Sequence, residues 1–236
     1  DRFARYLRPD ELHFAFHFAL TGAPFEADAI RSAIDSTLDA ARASGSAPTW
    51  ALSNHDVVRE VTRYGNGAVG TARARAMLLA TLALPGIAFI YNGAELGLPS
   101  EFSIPRDRLT DPTWDRTDHA ELGRDHCRVP LPWSGDRPPY GFSGADDTWL
   151  PMPENWSGLT VEAQAADPDS TLALYRQAIR IRHSWPTPTT PEVHWTSTPD
   201  GCLGFWREDG PVVCMINASR RPVPLPDGKV VLASAP

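Results

Sequence analysis

Three patterns that would narrow the class of protein are absent from this 236-residue sequence. Its three cysteines, Cys127, Cys202 and Cys214, form no C-x-x-C motif and no disulfide framework. This favours free core thiols over a Cys202–Cys214 hairpin bridge and predicts a cytoplasmic protein. No run approaches eighteen apolar residues, so we expect no membrane span. The net charge of −7 includes no Lys/Arg run, which argues against nucleic acid or an anionic membrane as a partner.

Proline and aromatic residues, in contrast, are plentiful. There are 23 prolines, 8 tryptophans and 9 phenylalanines, and 42% of the residues are hydrophobic. That apolar content is enough for a sizeable core. The prolines follow no period and many fall after residue 99, which predicts long ordered loops rather than a low-complexity chain.

The first ninety residues alternate between strand and helix patterns. Apolar alternation predicts a strand over 12–20, and steps of three and four residues predict a helix over 26–42. We further predict a strand at 48–53, a helix at 71–84 and an apolar strand at 87–91. This order indicates βαβ units, and therefore a parallel sheet with right-handed crossovers.

The rest of the chain has a different character. Residues 92–166 show no sustained periodicity and predict a long loop of the kind that usually carries function. Asp167 and Pro168 predict the start of a helix that runs to Arg182. Beyond Pro186 we expect a small antiparallel domain. Its predicted strands and hairpin turn are 193–196, 203–206, 212–216, 230–232 and the turn at 208–210.

Asn54, His55 and Asp56 directly follow the strand predicted at 48–53. Functional side chains of parallel α/β sheets lie where strands end and loops begin. A carboxylate beside an imidazole there can bond adjacent sugar hydroxyls and stabilise positive charge on the sugar ring. The same three residues are also ordinary turn chemistry, so their spacing alone leaves both interpretations open.

The sequence around this motif favours the interpretation as a sugar-binding site. Residues 51–65, ALSNHDVVREVTRYG, resemble the seventh-strand segment of the α-amylase family of glycoside hydrolases, in its α-glucosidase branch of oligo-1,6-glucosidases and maltases. Residues 82–97, LALPGIAFIYNGAELG, resemble the eighth-strand segment. Residues 124–133, RDHCRVPLPW, and 167–176, DPDSTLALYR, are similar to the following loop and the last barrel helix, in the same order.

The resemblance implies an α/β fold, namely the C-terminal part of a TIM-type (β/α)8 barrel followed by a small antiparallel β-domain. Residues 1–185 would hold strands six to eight, the long loop and the last helix, and 186–236 the β-domain. Because three strands leave open edges, we expect a C-terminal portion of a larger enzyme, a view that the missing initiator Met supports. The missing N-terminal part, or a swapped copy, is the expected partner.

Site roles follow from the resemblance residue by residue. Asp56 matches the third catalytic carboxylate, which stabilises the transition state without attacking or protonating the substrate. His55 would bond the same sugar ring. Arg59 and Arg63 would line the neighbouring subsite, and Arg128 would reach the substrate from the long loop. The nucleophile and the acid/base of the family have no match in this chain.

The expected activity is therefore that of a retaining α-glucosidase acting on α-glucosides, including malto- and isomalto-oligosaccharides. We expect the 236-residue chain alone to be inactive. Glucosyl transfer or isomerisation, as in a trehalose synthase, is an enzymatic alternative, and a non-catalytic sugar-binding or interaction relative is another. The spacing of histidines and acidic residues matches no metal site, so we predict neither metal nor cofactor.

Overall fold

The chain is seen in a computed structural model that describes residues 3–7, 10–186, 192–208, 210 and 212–235. Its contacts divide the chain into two compact units. Unit 1 combines Asp1–Leu52, Arg75–Phe89 and Gln177–Pro236, and unit 2 combines Ser53–Ala74 and Ile90–Arg176. The domain boundary between residues 185 and 186 stays a prediction.

Helices and short strands alternate through the first part of the described chain. The α-helices are α1 (Ala19–Gly22), α2 (Ala27–Ser44), α3 (Glu60–Arg63), α4 (Gly67–Ala83), α5 (Thr113–Arg116), α6 (Val161–Ala166) and α7 (Thr171–His183). The strands are β1 (Thr49–Ala51), β2 (Ile87–Phe89), β3 (His194–Trp195), β4 (Cys202–Trp206) and β5 (Val213–Asn217). Single 3-10 turns occur at Phe3–Tyr6, Ala94–Leu96, Arg106–Arg108, Asp125–Cys127 and Ser157–Leu159.

Unit 1 contains a two-stranded parallel sheet. β1 pairs with β2, and Thr49 lies opposite Ile87 in the register. Because α4 lies between these strands in the sequence, the βαβ connection and the parallel pairing are confirmed. Trp50 on β1 is buried, and its indole N–H donates to the carbonyl of Pro85.

A three-stranded antiparallel sheet, β3-β4-β5, also belongs to unit 1. Trp195 on β3 donates its indole N–H to Asp35 Oδ1 on α2 at 2.9 Å, which joins this sheet to the helix. The strand predicted at 230–232 is wrong, because these residues form no ladder and Val230 and Val231 are more than half exposed. Asp209, in the predicted hairpin turn, lies outside the described residues.

The strand predicted over 12–20 is also wrong. Residues 12–18 form no ladder, and α1 begins at Ala19. A single side chain takes the place of a ladder: the hydroxyl of Thr49 accepts from the His17 N–H at 3.0 Å and donates to the Ala15 carbonyl at 2.8 Å. Alternation alone does not distinguish an extended segment from a paired strand, since both repeat every two residues.

The Thr49 hydroxyl leads to a stability prediction for the 236-residue chain. Replacing Thr49 with Val keeps the shape of the buried side chain and removes both hydrogen bonds to residues 15 and 17. Since one main-chain donor and one acceptor then lack their partner, we expect the free energy of unfolding to fall by about 1–3 kcal/mol. Urea unfolding measures this loss.

The matched control is Thr81→Val, at another buried threonine. The Thr81 hydroxyl donates to the Met77 carbonyl within α4. That carbonyl keeps a helical main-chain donor after the substitution, so we expect a loss below about 1 kcal/mol. If the two variants unfold at the same urea concentration, the Thr49 hydroxyl does not have the role given to it here.

The helical predictions are closer to the structure. α2 matches the helix predicted over 26–42, with Ile30, Ile34 and Leu38 buried, and it ends at Gly45 in a left-handed conformation. The predicted start of the last helix at Asp167 and Pro168 is wrong by a few residues. Asp167 instead accepts from the Asp169 N–H within a turn, and the Ser170 hydroxyl accepts from the Ala173 N–H as the cap of α7.

Unit 2 is built mostly from the long loop, as the lack of periodicity predicts. Its apolar cluster nevertheless includes Tyr140, Leu150 and Trp156, all buried. The Tyr140 hydroxyl donates to the Pro153 carbonyl and accepts from the Trp156 N–H, which fixes the loop around this core. Across the described ranges, none of the helices combines the length and apolar character that a membrane crossing requires.

Candidate active site

The turn after β1 presents the motif Asn54-His55-Asp56. The Asn54 side-chain oxygen accepts from the Asp56 N–H at 2.8 Å, the short-range bond that makes asparagine favourable in turns. Just before it, the buried Ser53 donates to Glu60 Oε2 at 2.5 Å. These bonds fix both ends of a turn whose acidic side chain points outward, with the Asp56 side chain 46% exposed.

Two arginines from the long loop hold the Asp56 carboxylate. Arg124 donates through Nη1 to Asp56 Oδ1 at 2.9 Å, and Arg128 donates through Nη2 to the same oxygen at 3.0 Å. Both arginines flank the 3-10 turn at Asp125–Cys127, which spaces them four residues apart. Oδ1 is therefore taken by protein donors, whereas Oδ2 faces His55.

His55 completes this group. Its Nε2 lies 3.5 Å from Asp56 Oδ2, and its ring is largely exposed. Arg128 also donates through Nε to the His55 carbonyl at 2.8 Å, so one arginine fixes both the main chain of the turn and its carboxylate. Partial burial raises the pKa of Asp56, but the Arg124 hydrogen bond and the charge of His55 outweigh it and bring the pKa below its ordinary value. The carboxylate is therefore ionised at neutral pH.

Arg59 and Arg63 take other positions. Arg59 is 2% exposed, and its guanidinium donates to the carbonyls of Asn92 and Cys127 at 3.0 Å each and stacks over the ring of Tyr91. Arg63 donates to the Tyr64 hydroxyl at 3.1 Å. The structure thus brings together His55, Asp56 and Arg128, while Arg59 lies among main-chain carbonyls. Substrate contacts by Arg59 and Arg63 stay predictions.

Two members of the group were missed from the sequence. Arg124 lies in the same segment as Arg128, and a second arginine four residues away was an available signal. Asp111 carried no signal, since it lies in a loop without periodicity, thirteen residues before Arg124 in a chain that folds back there. It accepts from Arg124 Nε at 2.6 Å and is fully buried as a side chain.

The chemistry available to this group is that of holding a neutral, hydroxyl-rich ligand. An ionised carboxylate whose Oδ2 is bound by neither arginine can accept from hydroxyls, and the imidazole beside it supplies a second polar contact. Among the described residues no cluster of three or more His, Cys, Asp or Glu side chains is arranged to hold a metal ion.

Comparison with models of known protein families identifies the family of the chain. The model of the α-amylase catalytic domain matches residues 9–188 of the chain. A match over this much of the sequence shows the family: the chain belongs to the α-amylase family. The resemblance inferred from the four sequence segments is confirmed.

The curated relatives are glucosidases. A probable alpha-glucosidase of Rhizobium meliloti is 38% identical over 174 residues, which cover 72% of this chain and 31% of that protein. An oligo-1,6-glucosidase of Saccharomyces cerevisiae is 32% identical over 154 residues, or 56% of this chain and 26% of that protein. The matched residues thus span between about a quarter and a third of the length of these two relatives.

The solved structures that match are enzymes of the same fold. The alpha-glucosyl transfer enzyme XgtA is 30% identical with a TM-score of 0.82, and the match covers 99% of this chain and 44% of that one. The trehalulose synthase MutB is 24% identical with a TM-score of 0.71 over 87% of this chain and 42% of that one, and this likeness concerns the fold alone. The neighbours therefore have the TIM-barrel fold of the family, as the sequence predicts in outline.

Proposed function

We propose that this chain is the C-terminal portion of a retaining α-glucosidase, in which Asp56 stabilises the transition state on an α-linked glucoside. The observation that carries the proposal is the half-exposed Asp56 carboxylate, held on one oxygen by Arg124 and Arg128 and flanked by His55. The names of the curated relatives point the same way.

The geometry suits this role. The two arginines occupy Oδ1 and leave Oδ2 for a sugar hydroxyl, with His55 Nε2 alongside. A carboxylate that stays ionised also favours the positive charge that develops on the sugar ring as the glycosidic bond breaks. Because the interaction strengthens as charge develops, it accelerates the reaction rather than merely binding the substrate.

The chemistry still needs a nucleophile and an acid. A retaining glycosidase places two carboxyl groups about 5 Å apart on either side of the scissile bond. We assign these groups to barrel strands outside this chain. The coverage of 44% of a structural relative with a high TM-score supports this division.

A row of exposed apolar side chains in unit 1 supports the same division. Four side chains of the segment 12–18 are between 43% and 55% exposed, and we call them the apolar row: Leu12, Phe14, Phe16 and Phe18. Phe16 lies 4.4 Å from Phe89 on β2, ring centre to ring centre, so the row continues an apolar surface of the parallel sheet. We propose that the strands of an adjoining barrel portion, or of a swapped copy, cover this row. Residues 1–185 would then be the partial barrel and 186–236 the C-terminal β-domain.

We further propose that the protein is located in the cytoplasm. All three cysteines are free thiols, and Cys127 and Cys202 are buried. Free thiols are common in reducing compartments, which favours the cytoplasm.

Activity measurements test the proposal directly. We expect the full-length protein encoded by the gene to hydrolyse 4-nitrophenyl α-glucoside and to release α-glucose first, as proton NMR would detect. We expect the purified 236-residue chain to show no turnover, because it supplies one of the three carboxylates. Turnover by the pure chain would overturn the division of catalytic groups. A full-length protein that binds glucosides without cleaving them would favour the non-catalytic alternative.

Glucosyl transfer is the second candidate, because a solved relative at 30% identity is an alpha-glucosyl transfer enzyme. The same covalent intermediate serves both reactions, and the acceptor decides between them. Product analysis with maltose separates the two: free glucose alone indicates hydrolysis, whereas new disaccharides or trisaccharides indicate transfer.

A further inference from the structure

A buried carboxylate lies behind the two arginines of the site. The Asp111 side chain is completely inaccessible, and its Oδ1 accepts from the Thr113 N–H at 2.9 Å. Its Oδ2 accepts from Arg124 twice, from the main-chain N–H at 3.0 Å and from Nε at 2.6 Å, and lies 3.5 Å from Arg128 Nη1. These hydrogen bonds are all accepted by the Asp111 carboxylate, and two of the residues that donate them are the arginines that hold Asp56.

Each arginine therefore spans two carboxylates. Arg124 uses Nε for Asp111 and Nη1 for Asp56, and Arg128 uses Nη1 for Asp111 and Nη2 for Asp56. A guanidinium can make both bonds at fixed angles because its N–H groups lie in one rigid plane and point in different directions. A lysine ammonium lacks this planar arrangement. The position of Asp111 consequently sets the direction from which both arginines approach Asp56.

Asp111 is itself held in place. The buried Asp125 accepts from the Asp111 N–H at 2.9 Å and from the Thr110 N–H and hydroxyl. Asp125 lies in the 3-10 turn between the two arginines. The main chain that bears Asp111 and the turn that bears the arginines are therefore joined by a second set of hydrogen bonds, which makes the arrangement rigid.

We propose that Asp111 is a positioning residue, which holds Arg124 and Arg128 so that both bind Oδ1 of Asp56 and leave Oδ2 to the sugar. This inference rests on the proposed function of Asp56. Without the buried carboxylate the two guanidinium groups lose the partner that opposes Asp56. If they turn toward solvent, they no longer hold the Asp56 carboxylate in position, and if they bind both Asp56 oxygens, they obstruct the sugar contact.

A double-mutant cycle tests whether Asp111 acts through the arginines. In the full-length protein we expect Asp111→Asn to lower kcat/KM about 10- to 100-fold, in the range of outer-shell residues that orient a site. In a background that already carries Arg124→Ala and Arg128→Ala, we expect the same change to cost less than about threefold, because coupled residues are not additive. An equal loss in both backgrounds would overturn the proposal.

Asp147→Asn is the matched control. Asp147 also accepts from an arginine, Arg108, at 2.8 Å, but it is exposed. We expect its kcat/KM to stay within about twofold of wild type, because exposed ion pairs contribute little. If Asp111→Asn proves too unstable to purify, Arg124→Lys replaces it: this variant keeps the charge but cannot join the two carboxylates, so a loss below about threefold contradicts the bridging geometry.

A structural measurement separates this inference from the proposed function. If the wild-type protein does not cleave α-glucosides, the proposed function fails, and the positioning role is then read from a crystal structure of the Asp111→Asn variant. We expect at least one guanidinium to leave hydrogen-bond distance of Asp56 Oδ1. Both guanidinium groups at their original distances would overturn the positioning role whatever the activity of the protein.

Discussion

If Asp56 has the proposed role, we expect Asp56→Asn in the full-length protein to lower kcat by about 10²- to 10⁴-fold, the equivalent of about 3–5 kcal/mol of transition-state stabilisation. The amide keeps the size of the side chain and removes the negative charge that opposes the developing charge on the sugar. Arg124 and Arg128 then lose one of the two carboxylates that they share and keep only Asp111, which leaves excess positive charge next to the sugar ring. KM changes less than kcat, because the lost interaction strengthens only as the bond breaks. Steady-state kinetics with an aryl α-glucoside measures both constants.

The Asp147→Asn variant again serves as the control for removing an arginine-bound carboxylate of unit 2. Its kcat should match that of wild type within about twofold, as expected for an exposed pair. A kcat near wild type in the Asp56→Asn enzyme would show that Asp56 does not stabilise the transition state, even if the protein is an active glucosidase.

Replacing Gly123 with Ala has the second large effect. Gly123 has a φ of +68°, and a Cβ built there would lie 2.8 Å from both Cβ and Cγ of Asp111. A left-handed alanine costs about 1–2 kcal/mol, and overpacking at a buried side chain costs about 1–3 kcal/mol more. We therefore expect the free energy of unfolding to fall by about 2–5 kcal/mol. Because the displaced carboxylate is Asp111, we also expect a loss of kcat/KM of at least about tenfold.

Gly135→Ala isolates the backbone contribution. Gly135 has a φ of +86° in the same long loop, but a Cβ there meets no atom within 4 Å. Its stability should fall by only about 1–2 kcal/mol, with kcat/KM close to wild type. If Gly123→Ala and Gly135→Ala lose equal stability and retain equal activity, the close contact between Gly123 and Asp111 has no consequence for the site.

The sequence predicts those parts of the fold that rest on local periodicity. α2 follows from apolar residues at three- and four-residue steps, and Gly45 ends it where the pattern stops. β1 and β2 follow from short apolar runs on either side of a helix. The segment 12–18 has an equally clear alternation and forms no strand. A strand needs a partner for its main-chain groups, and the periodicity of one segment carries no information about that partner.

The same distinction applies to the site. The sequence was enough to name three site residues, because they lie in segments whose sequence resembles that of a known family: His55, Asp56 and Arg128. Their meeting depends on a loop that brings Arg128 back across 72 residues to Asp56. The role of Asp111 is harder to predict from the sequence, because an aspartate before a proline in an aperiodic loop is typical of an ordinary turn. Only the folded loop reveals that this aspartate is buried behind both arginines.

Arg59 illustrates the opposite case. Its place beside the Asn54-His55-Asp56 turn suggests a substrate contact, yet the folded chain surrounds it with carbonyl groups from residues 92 and 127. Burial lowers the pKa of Arg59, while the neighbouring Tyr91 and Glu60 raise it in part. The substrate contact of Arg59 stays a prediction. Its hydrogen bonds to loop carbonyls could not be predicted from the sequence, because they depend on residues 33 and 68 positions away.

A crystal structure of the full-length protein with a glucose-shaped iminosugar tests the central claim most directly. We expect Asp56 Oδ2 to lie within about 2.5–3.2 Å of a ligand hydroxyl, with His55 at hydrogen-bond distance of the same ligand. We also expect Arg124 and Arg128 to remain on Asp56 Oδ1. A ligand bound in the barrel without contact to Asp56, or an arrangement in which the arginines occupy both Asp56 oxygens, would contradict this prediction.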